Sequence, residues 1–309
     1  MKIPTMFQSF GGMVCAGALL LLAASAPAQN LFVANGGYGD IIEITPGGDE
    51  STFASGLDHP NALAFNSAGD LFEADYYSGD IYEFINDDGT LSSSPTPFAS
   101  GLDNPLALAF NNAGDLFVSS HADDSILEIT PGRVESTFAS GLKIPYRMAF
   151  NSAGDLFLAA DDSGDIYEFV NDDGTLSSSR TVFASGLTDP RGLAFNSAGD
   201  LFDADYQSGN IYEFTPGGMQ STFASGLDHP FGLAFSSTGD LFVESGDTTN
   251  GDSIVEITPG GTQSTYASGL DPLGMAFQGV TLPVPEPSVL GLLAVGIASL
   301  VVRGCRRNY

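Results

Sequence analysis

Short glycine-containing loops rich in side-chain oxygens recur along the chain and could bind a hard cation. The loops read NGGYGD (35–40), DYYSGD (75–80), HADDS (121–125), DDSGD (161–165), DYQSGN (205–210) and SGDTTNGD (245–252). Oxygen ligands at such short spacings suit weak Ca²⁺ binding, although the ligand order of an EF-hand is incomplete. Acidic turns that only keep the protein soluble are the alternative. The candidate metal ligands are Asp75, Asp80, Asp161, Asp165, Asp205, Asp247 and Asp252.

A second set consists of the residue that directly follows the proline in each repeat. This residue differs from one repeat to the next, whereas the residues around it recur. The members of the set are Asn61, Leu106, Tyr146, Arg191, Phe231 and Leu273. Aromatic rings with a few polar groups suit the binding of sugars or peptides. The candidate ligand-binding residues are therefore Asn61, Tyr146, Arg191 and Phe231. Sequence drift at exposed positions is the alternative.

No catalytic residue is predicted. The histidines His59, His121 and His229 fall in turns and form no Ser-His-Asp set. One glutamate recurs in every repeat and is interpreted as structural, at positions 43, 83, 128, 168, 213 and 256. Glu73 and Asp203 instead replace valine or leucine at an apolar strand position, where a carboxyl group needs a partner or a raised pKa.

These residues must be positioned by a repeated hairpin. The first copy, SGLDHPNALAFNSAGDLFEAD at residues 55–75, reads as an apolar strand, a polar turn and a second apolar strand. Asparagine and glycine accept the backbone angles of a tight turn, and alternating apolar residues give half-buried strands. A single hairpin cannot bury its own face, but several at regular spacing can stack.

The repeat predicts an all-β fold, a six-bladed β-propeller of four-stranded antiparallel blades. Six units begin at the LF strands, at residues 31, 71, 116, 156, 201 and 241, and each contains four strand-like runs. The first unit lacks an inner strand before it, and LGMAF at 273–277 has no partner after it. The C-terminal strand is therefore expected to complete the N-terminal blade and close the ring.

The spacing PxGLAF, GDLFVAD and I.EF resembles that of NHL-type and gluconolactonase-type six-bladed propellers across residues 31–280. The gluconolactonase resemblance implies a divalent metal in the channel, held by Asn and Asp after prolines and by a Glu. Only Asn61 matches this pattern. A metal-dependent lactonase is therefore the alternative function, and a binding propeller is preferred.

The folded part, residues 29–280, is strongly acidic. It holds 37 acidic and five basic residues, a net charge of about −32. Such a charge repels nucleic acid and anionic membrane surfaces, so no nucleic-acid partner is expected. Neither cysteine falls in this part, so its core must hold without disulfides.

The two ends of the chain predict export. Residues 1–28 have the layout of a secretory signal peptide. Residues 281–287 form a proline-rich linker, and residues 288–309 a short transmembrane helix with a basic tail. Together they resemble the PEP-CTERM sorting signal of Gram-negative bacteria, through Pro285, Glu286, Pro287, Arg303, Arg306 and Arg307. A plain membrane anchor is the alternative.

The PEP-CTERM resemblance implies an exosortase as partner and transient anchoring in the inner membrane. It also implies a final location at the cell surface or in extracellular polysaccharide. The sequence thus predicts an exported binding or structural propeller. Carbohydrate or Ca²⁺ is its expected ligand at the channel mouth, and Ca²⁺ is the one cofactor considered.

Overall fold

The computed structural model describes residues 29–160, 163–246 and 252–279. The predicted signal peptide, the proline-rich linker and the C-terminal tail lie outside these ranges, as do Asp161 and Asp247. Within the described ranges, no helix is long and apolar enough to span a membrane.

Six four-stranded antiparallel sheets form the blades of a propeller, as the repeat predicts. Each blade has an inner, a second, a third and an outer strand. The inner strands of blades 1 to 6 are Pro272–Phe277, Pro60–Phe65, Pro105–Phe110, Pro145–Phe150, Pro190–Phe195 and Leu233–Phe235. The second strands are Leu31–Asn35, Leu71–Asp75, Leu116–Ser120, Leu156–Ala160, Leu201–Asp205 and Leu241–Ser245.

The third and outer strands complete each blade away from the axis. The third strands are Asp40–Ile44, Asp80–Phe84, Ser125–Ile129, Asp165–Asp172, Asn210–Phe214 and Asp252–Ile257. The outer strands are Glu50–Ser55, Thr96–Ala99, Glu135–Ser140, Thr175–Ser185, Gln220–Ser225 and Gln263–Leu270. A short hairpin, Asn86–Asp87 with Thr90–Leu91, extends blade 2, and a 3₁₀ turn covers Gly36–Tyr38.

The closing strand is the feature that makes the ring. Pro272–Phe277 pairs antiparallel with Leu31–Asn35, with Leu31 opposite Phe277 and Val33 opposite Met275. The inner strands of neighbouring blades contact one another around the axis, including those of blades 1 and 6. The prediction that the C-terminal strand completes the N-terminal blade is confirmed.

Each repeated NSAGD sequence forms the predicted turn between inner and second strands. In the first copy, the Asn66 side-chain oxygen accepts from the amides of Ala68 and Asp70, both at 2.9 Å. Gly69 has a φ of 85°, which only glycine adopts without strain. An Asx turn of this kind fixes the hairpin register and so sets which side chains face the next blade.

Aromatic contacts join the blades. The second residue of every second strand is a buried phenylalanine; Phe72, for example, packs edge-to-face against Phe98 of its own blade and Phe110 of blade 3. The third residue of the same strand points the other way, as Val33 does toward Phe242 of blade 6. Side chains at this third position are therefore sealed between blades.

Candidate functional site

One end of the propeller, here called the mouth, carries the starts of the inner strands and the loops after the second strands. Antiparallel pairing in each blade brings these two sets of residues together. Tyr146 and Phe231 meet there with ring centroids 5.9 Å apart and planes at 90°. The guanidinium group of Arg191 lies 4.8 Å from the Tyr146 centroid and 5.7 Å from the Phe231 centroid. Three of the four candidate ligand-binding residues thus converge.

Arg191 is held in a fixed orientation. Its Nε and one terminal nitrogen donate to the two carboxylate oxygens of Asp189, at 2.9 and 3.0 Å. Its guanidinium group also stacks on Tyr206, 3.6 Å from the ring centroid. A bidentate pair of this kind is both strong and geometrically specific. The guanidinium group of Arg191 is therefore held in one orientation, between the rings of Tyr146 and Tyr206.

Asn61, the fourth candidate, lies deeper. It is 5% exposed, and its backbone carbonyl accepts a hydrogen bond from Arg147 at 3.0 Å. The guanidinium group of Arg147 in turn lies 5.1 Å from the centroid of Phe231. Asn61 is thus linked through Arg147 to the residues at the mouth.

The rings at the mouth extend into what we call the aromatic arc. His59 lies 4.7 Å from Tyr77 and 5.9 Å from Tyr76 between ring centroids. His121 continues the arc, 6.5 Å from Tyr76 and 6.4 Å from Tyr146. The complete arc runs over blades 2 to 6 and consists of Tyr77, His59, Tyr76, His121, Tyr146, Phe231, Arg191, Tyr206 and His229.

Several buried polar atoms of the mouth have no hydrogen-bond partner among the described residues. They are Nδ1 of His59, Oδ1 of Asn61 and Nδ1 of His121. Buried polar atoms in folded proteins are nearly always paired, with protein, water or ligand. Each of these three atoms is enclosed as well as unpaired, so it would reach a polar group seated against the aromatic rings after a rotation of its side chain.

The channel below the mouth is crossed by Arg147. Its guanidinium group donates to the backbone carbonyls of Asn61, Leu106 and Leu273, which belong to blades 2, 3 and 1. A cavity of about 100 Å³ remains beside it, lined mainly by aliphatic inner-strand residues. Because one side chain from blade 4 bonds to three other blades, it ties the inner strands together and narrows the path along the axis.

Glu244 lies near enough to Arg147 for their charges to interact, although neither of its buried carboxyl oxygens has a hydrogen-bond partner among the described residues. It is 1% exposed, and its carboxyl group lies against the backbone of Gly232, where a Cβ would be 2.2 Å from Oε2. Burial raises the pKa of Glu244 to about 7, although the charge of Arg147 opposes the rise. Burial likewise lowers the pKa of Arg147, and Glu244 opposes that change. A buried acid with a pKa near neutrality thus lies behind the channel wall at Gly232.

The candidate metal ligands do not converge in the described residues. Asp75 accepts from the Asp58 amide at 2.6 Å, and Asp205 accepts from the Thr188 amide at 2.7 Å, so both tether the loop before an inner strand. Asp80 and Asp165 accept from tyrosine hydroxyls at 3.2 and 3.3 Å. Asp252 contacts the loop at Gly246.

Within the described ranges, no three His, Cys, Asp or Glu side chains lie close enough together to hold a metal ion. Asp161 and Asp247 fall outside those ranges. Calcium binding by these loops stays a prediction.

Glu73 and Asp203 are sealed between blades, as their strand position implies. Both are 0% exposed, and neither carboxyl group has a hydrogen-bond partner among the described residues. Burial raises the pKa of both groups well above the usual range, and the neighbouring Asp75 or Asp205 adds to the rise. The sequence left two outcomes open at this position, a partner or a raised pKa; the described residues supply no partner, and burial favours the protonated form of both groups.

The sequence analysis did not identify Arg147 or Glu244, and it did not place the histidines in the aromatic arc. Arg147 follows the candidate Tyr146 directly, and the inner strand of blade 4 has a register irregularity between Pro145 and Met148. Such irregularities redirect side chains, and this one accompanies the entry of Arg147 into the channel. An arginine in this apolar strand of a very acidic chain was the available signal.

Comparisons with known proteins identify the fold. No protein-family model matches this sequence, and no curated protein matches it. Among solved structures, a nidogen–laminin complex contains a chain with 18% identity and a TM-score of 0.70; the match covers 81% of this chain and 98% of that one.

Enzymes share the same architecture. Virginiamycin B lyase from Staphylococcus aureus has 15% identity and a TM-score of 0.58, over 78% of this chain and 85% of that one. A gluconolactonase from Xanthomonas campestris has 18% identity and a TM-score of 0.59, over 70% and 79%. At identities this low, the structural similarity shows a shared six-bladed propeller fold and no shared function, since the matched proteins include both a binding complex and enzymes.

Proposed function

We propose that this protein is an exported binding propeller whose mouth binds carbohydrate. The observation that carries the proposal is the aromatic arc beside unpaired polar atoms. Sugar rings offer apolar faces to aromatic side chains, and their hydroxyl groups would pair with His59, Asn61 and His121 once these side chains rotate toward the ligand. Because the arc crosses five blades, it suits an oligosaccharide better than a single sugar.

The charge and the ends of the chain support a location outside the cell. A net charge of about −32 in residues 29–280 favours an uncharged or cationic ligand over an anionic one. The signal-peptide and PEP-CTERM-like segments support export across the inner membrane of a Gram-negative bacterium, handling by an exosortase and association with extracellular polysaccharide. Weak Ca²⁺ binding by the acidic mouth loops is part of the same proposal.

A metal-dependent lactonase is the second candidate. It is favoured by the unpaired Oδ1 of Asn61, which occupies the post-proline position where gluconolactonase-type enzymes place a metal ligand. Against it, Leu106, Leu273 and Phe231 hold equivalent positions and offer no side-chain oxygen. A hard cation needs several oxygen ligands.

Calorimetric titration separates these functions. The full chain is titrated with maltohexaose, cellohexaose and chitohexaose, alone and with Ca²⁺. We expect millimolar or tighter binding of at least one probe, weakened about five- to tenfold by Tyr146→Ala or Phe231→Ala because a ring contact is lost. Tyr38→Ala, which removes an exposed mouth tyrosine outside the arc, is the matched control.

Two results would count against carbohydrate binding. The first is the absence of binding to all three probes, and the second is binding that both ring substitutions leave intact. Metal-dependent hydrolysis of a lactone that Asn61→Ala abolishes would instead support the lactonase.

A further inference from the structure

The end of the propeller opposite the mouth has grooves between adjacent blades, and one of them is filled by an arginine of this chain. Arg133, in the turn after the third strand of blade 3, pairs with Glu83 of blade 2 at 3.2 Å. The same guanidinium group donates to the carbonyl of Pro97 at 2.9 Å and lies 5.0 Å from the centroid of Phe98. A carboxylate, a carbonyl and an aromatic face thus form a guanidinium site between blades 2 and 3.

The groove between blades 4 and 5 is built from equivalent residues. Blades 2 and 4 are the two that carry the NDDGTLSSS insertion, and each is followed by a shorter blade. Glu168 stands where Glu83 stands, and Phe183 where Phe98 stands, because both pairs occupy the same strand registers. Val182 likewise takes the place of Pro97 and is more than half exposed.

The residue equivalent to Arg133 in this second groove is glycine. Gly218 occupies the last position of the TPGG turn, as Arg133 does in TPGR, and both amides bond to the threonine carbonyl three residues earlier. The groove consequently contains an open cavity of about 370 Å³, lined by Glu168, Phe183, Val182 and the Thr215–Gly218 turn among others. A Cβ added at Gly218 would meet no atom within 4 Å.

Arg133 occupies the filled groove with a backbone conformation that favours glycine. Arg133 has a φ of 61°, in the left-handed region that favours glycine, whereas Gly218 adopts 78° without cost. In the open groove, burial and the nearby Asp155 raise the pKa of Glu168. At Glu83 the same effect of burial is opposed by Arg133, so a cation in the open groove would favour the charged form of Glu168.

We propose that the cavity between blades 4 and 5 binds the guanidinium group of an arginine side chain from a partner polypeptide. Glu168 would accept from it, the Phe183 ring would face it, and the carbonyl of Val182 would take the part of the Pro97 carbonyl. Arginine fits better than lysine because its planar group can donate in several directions while it stacks on a ring. A polypeptide fits because the cavity opens beside the exposed edge of Thr175–Ser185, so a chain can approach it.

The test uses the full chain, labelled for amide NMR, and the tripeptide acetyl-Gly-Arg-Gly-amide. Titration should shift the amides of Gly217 and Gly218, with a dissociation constant of about millimolar. The citrulline tripeptide, which is neutral and nearly the same shape, should shift them at least about fivefold less, because both ion pair and cation–π contact are lost. Glu168→Gln should weaken binding by a similar factor.

Two reciprocal substitutions make the result specific to the groove. Gly218→Arg should abolish binding, because the new side chain fills the cavity as Arg133 fills its own; Gly218→Ala carries the same backbone strain and should keep binding. Arg133→Gly should create a second site, reported by the Gly132 amide. Thermal unfolding of each variant checks that it is folded.

Equal binding of the citrulline tripeptide would overturn the proposal, as would binding that persists in Gly218→Arg. Self-association of the full chain that Gly218→Arg abolishes would assign the cavity to a second copy and overturn the separate partner.

Discussion

Replacement of Glu244 by glutamine should remove one distinct contribution to the pH dependence of stability. Glu244 is buried against Gly232 at the channel wall, with a pKa raised from 4.5 to about 7. Between these two pH values the unfolded chain releases the proton of this carboxyl group, whereas the folded chain retains it. Stability must therefore fall as the pH rises through this window, and it levels off above about pH 7.

The size of the effect follows from the pKa change. A rise of about 2.5 pKa units corresponds to about 3 kcal/mol, at 1.36 kcal/mol for each unit. Glutamine has nearly the same shape and no proton to release. The free energy of unfolding of Glu244→Gln, relative to that of the native chain, should therefore increase by about 3 kcal/mol between pH 4.5 and pH 7.5.

Urea unfolding followed by circular dichroism at several pH values measures this difference directly. Glu135→Gln, at an exposed position of an outer strand, serves as the matched control and should give a curve parallel to that of the native chain. If the curves for Glu244→Gln and the native chain also run parallel between pH 4.5 and 7.5, then Glu244 is not a buried acid and the description of the channel is wrong.

Other substitutions test the remaining buried groups. Arg147→Met should cost about 3–5 kcal/mol because it leaves three backbone carbonyls without their donor and removes the positive charge near Glu244. Adding Glu244→Gln should recover part of the loss, and urea titration measures both. Glu73→Val and Asp203→Leu, which restore the residue types of the equivalent blades, should each raise the free energy of unfolding at pH 7 by about 1.5–3 kcal/mol; a lower melting temperature in calorimetry would contradict this. Asp75→Ala should cost about 1–3 kcal/mol because a loop amide loses its acceptor, and unchanged hydrogen exchange at that amide would argue against the tether.

The ring and its closure could be predicted because they depend on local sequence signals that repeat. The NSAGD turns fix the hairpins, strand alternation fixes their faces, and the unpaired strands at the two ends of the repeat have one obvious partner. The burial of Glu73 and Asp203 was predictable for the same reason, since the other four copies of this position hold valine or leucine.

The channel and the arc were harder to predict because they arise between blades. Arg147 bonds to carbonyls that lie 41, 86 and 126 residues away along the chain. His121 lies between Tyr76 and Tyr146, which belong to the blades on either side of its own. The repeat shows which strand or loop of a blade holds each of these residues. The distances between residues of different blades also depend on how neighbouring blades are rotated and how closely the inner strands approach the axis.

The pairing of Leu31–Asn35 with Pro272–Phe277 also constrains how this protein is made. Its first strand leaves the ribosome more than two hundred residues before its partner, so blade 1 stays incomplete during synthesis. Contacts so distant in sequence slow folding and leave an apolar sheet edge open to intermolecular association. The ring can close only after Pro272–Phe277, the last strand of the described residues, has been made. A chain interrupted before Pro272 would keep the edge of Leu31–Asn35 unpaired and prone to aggregation.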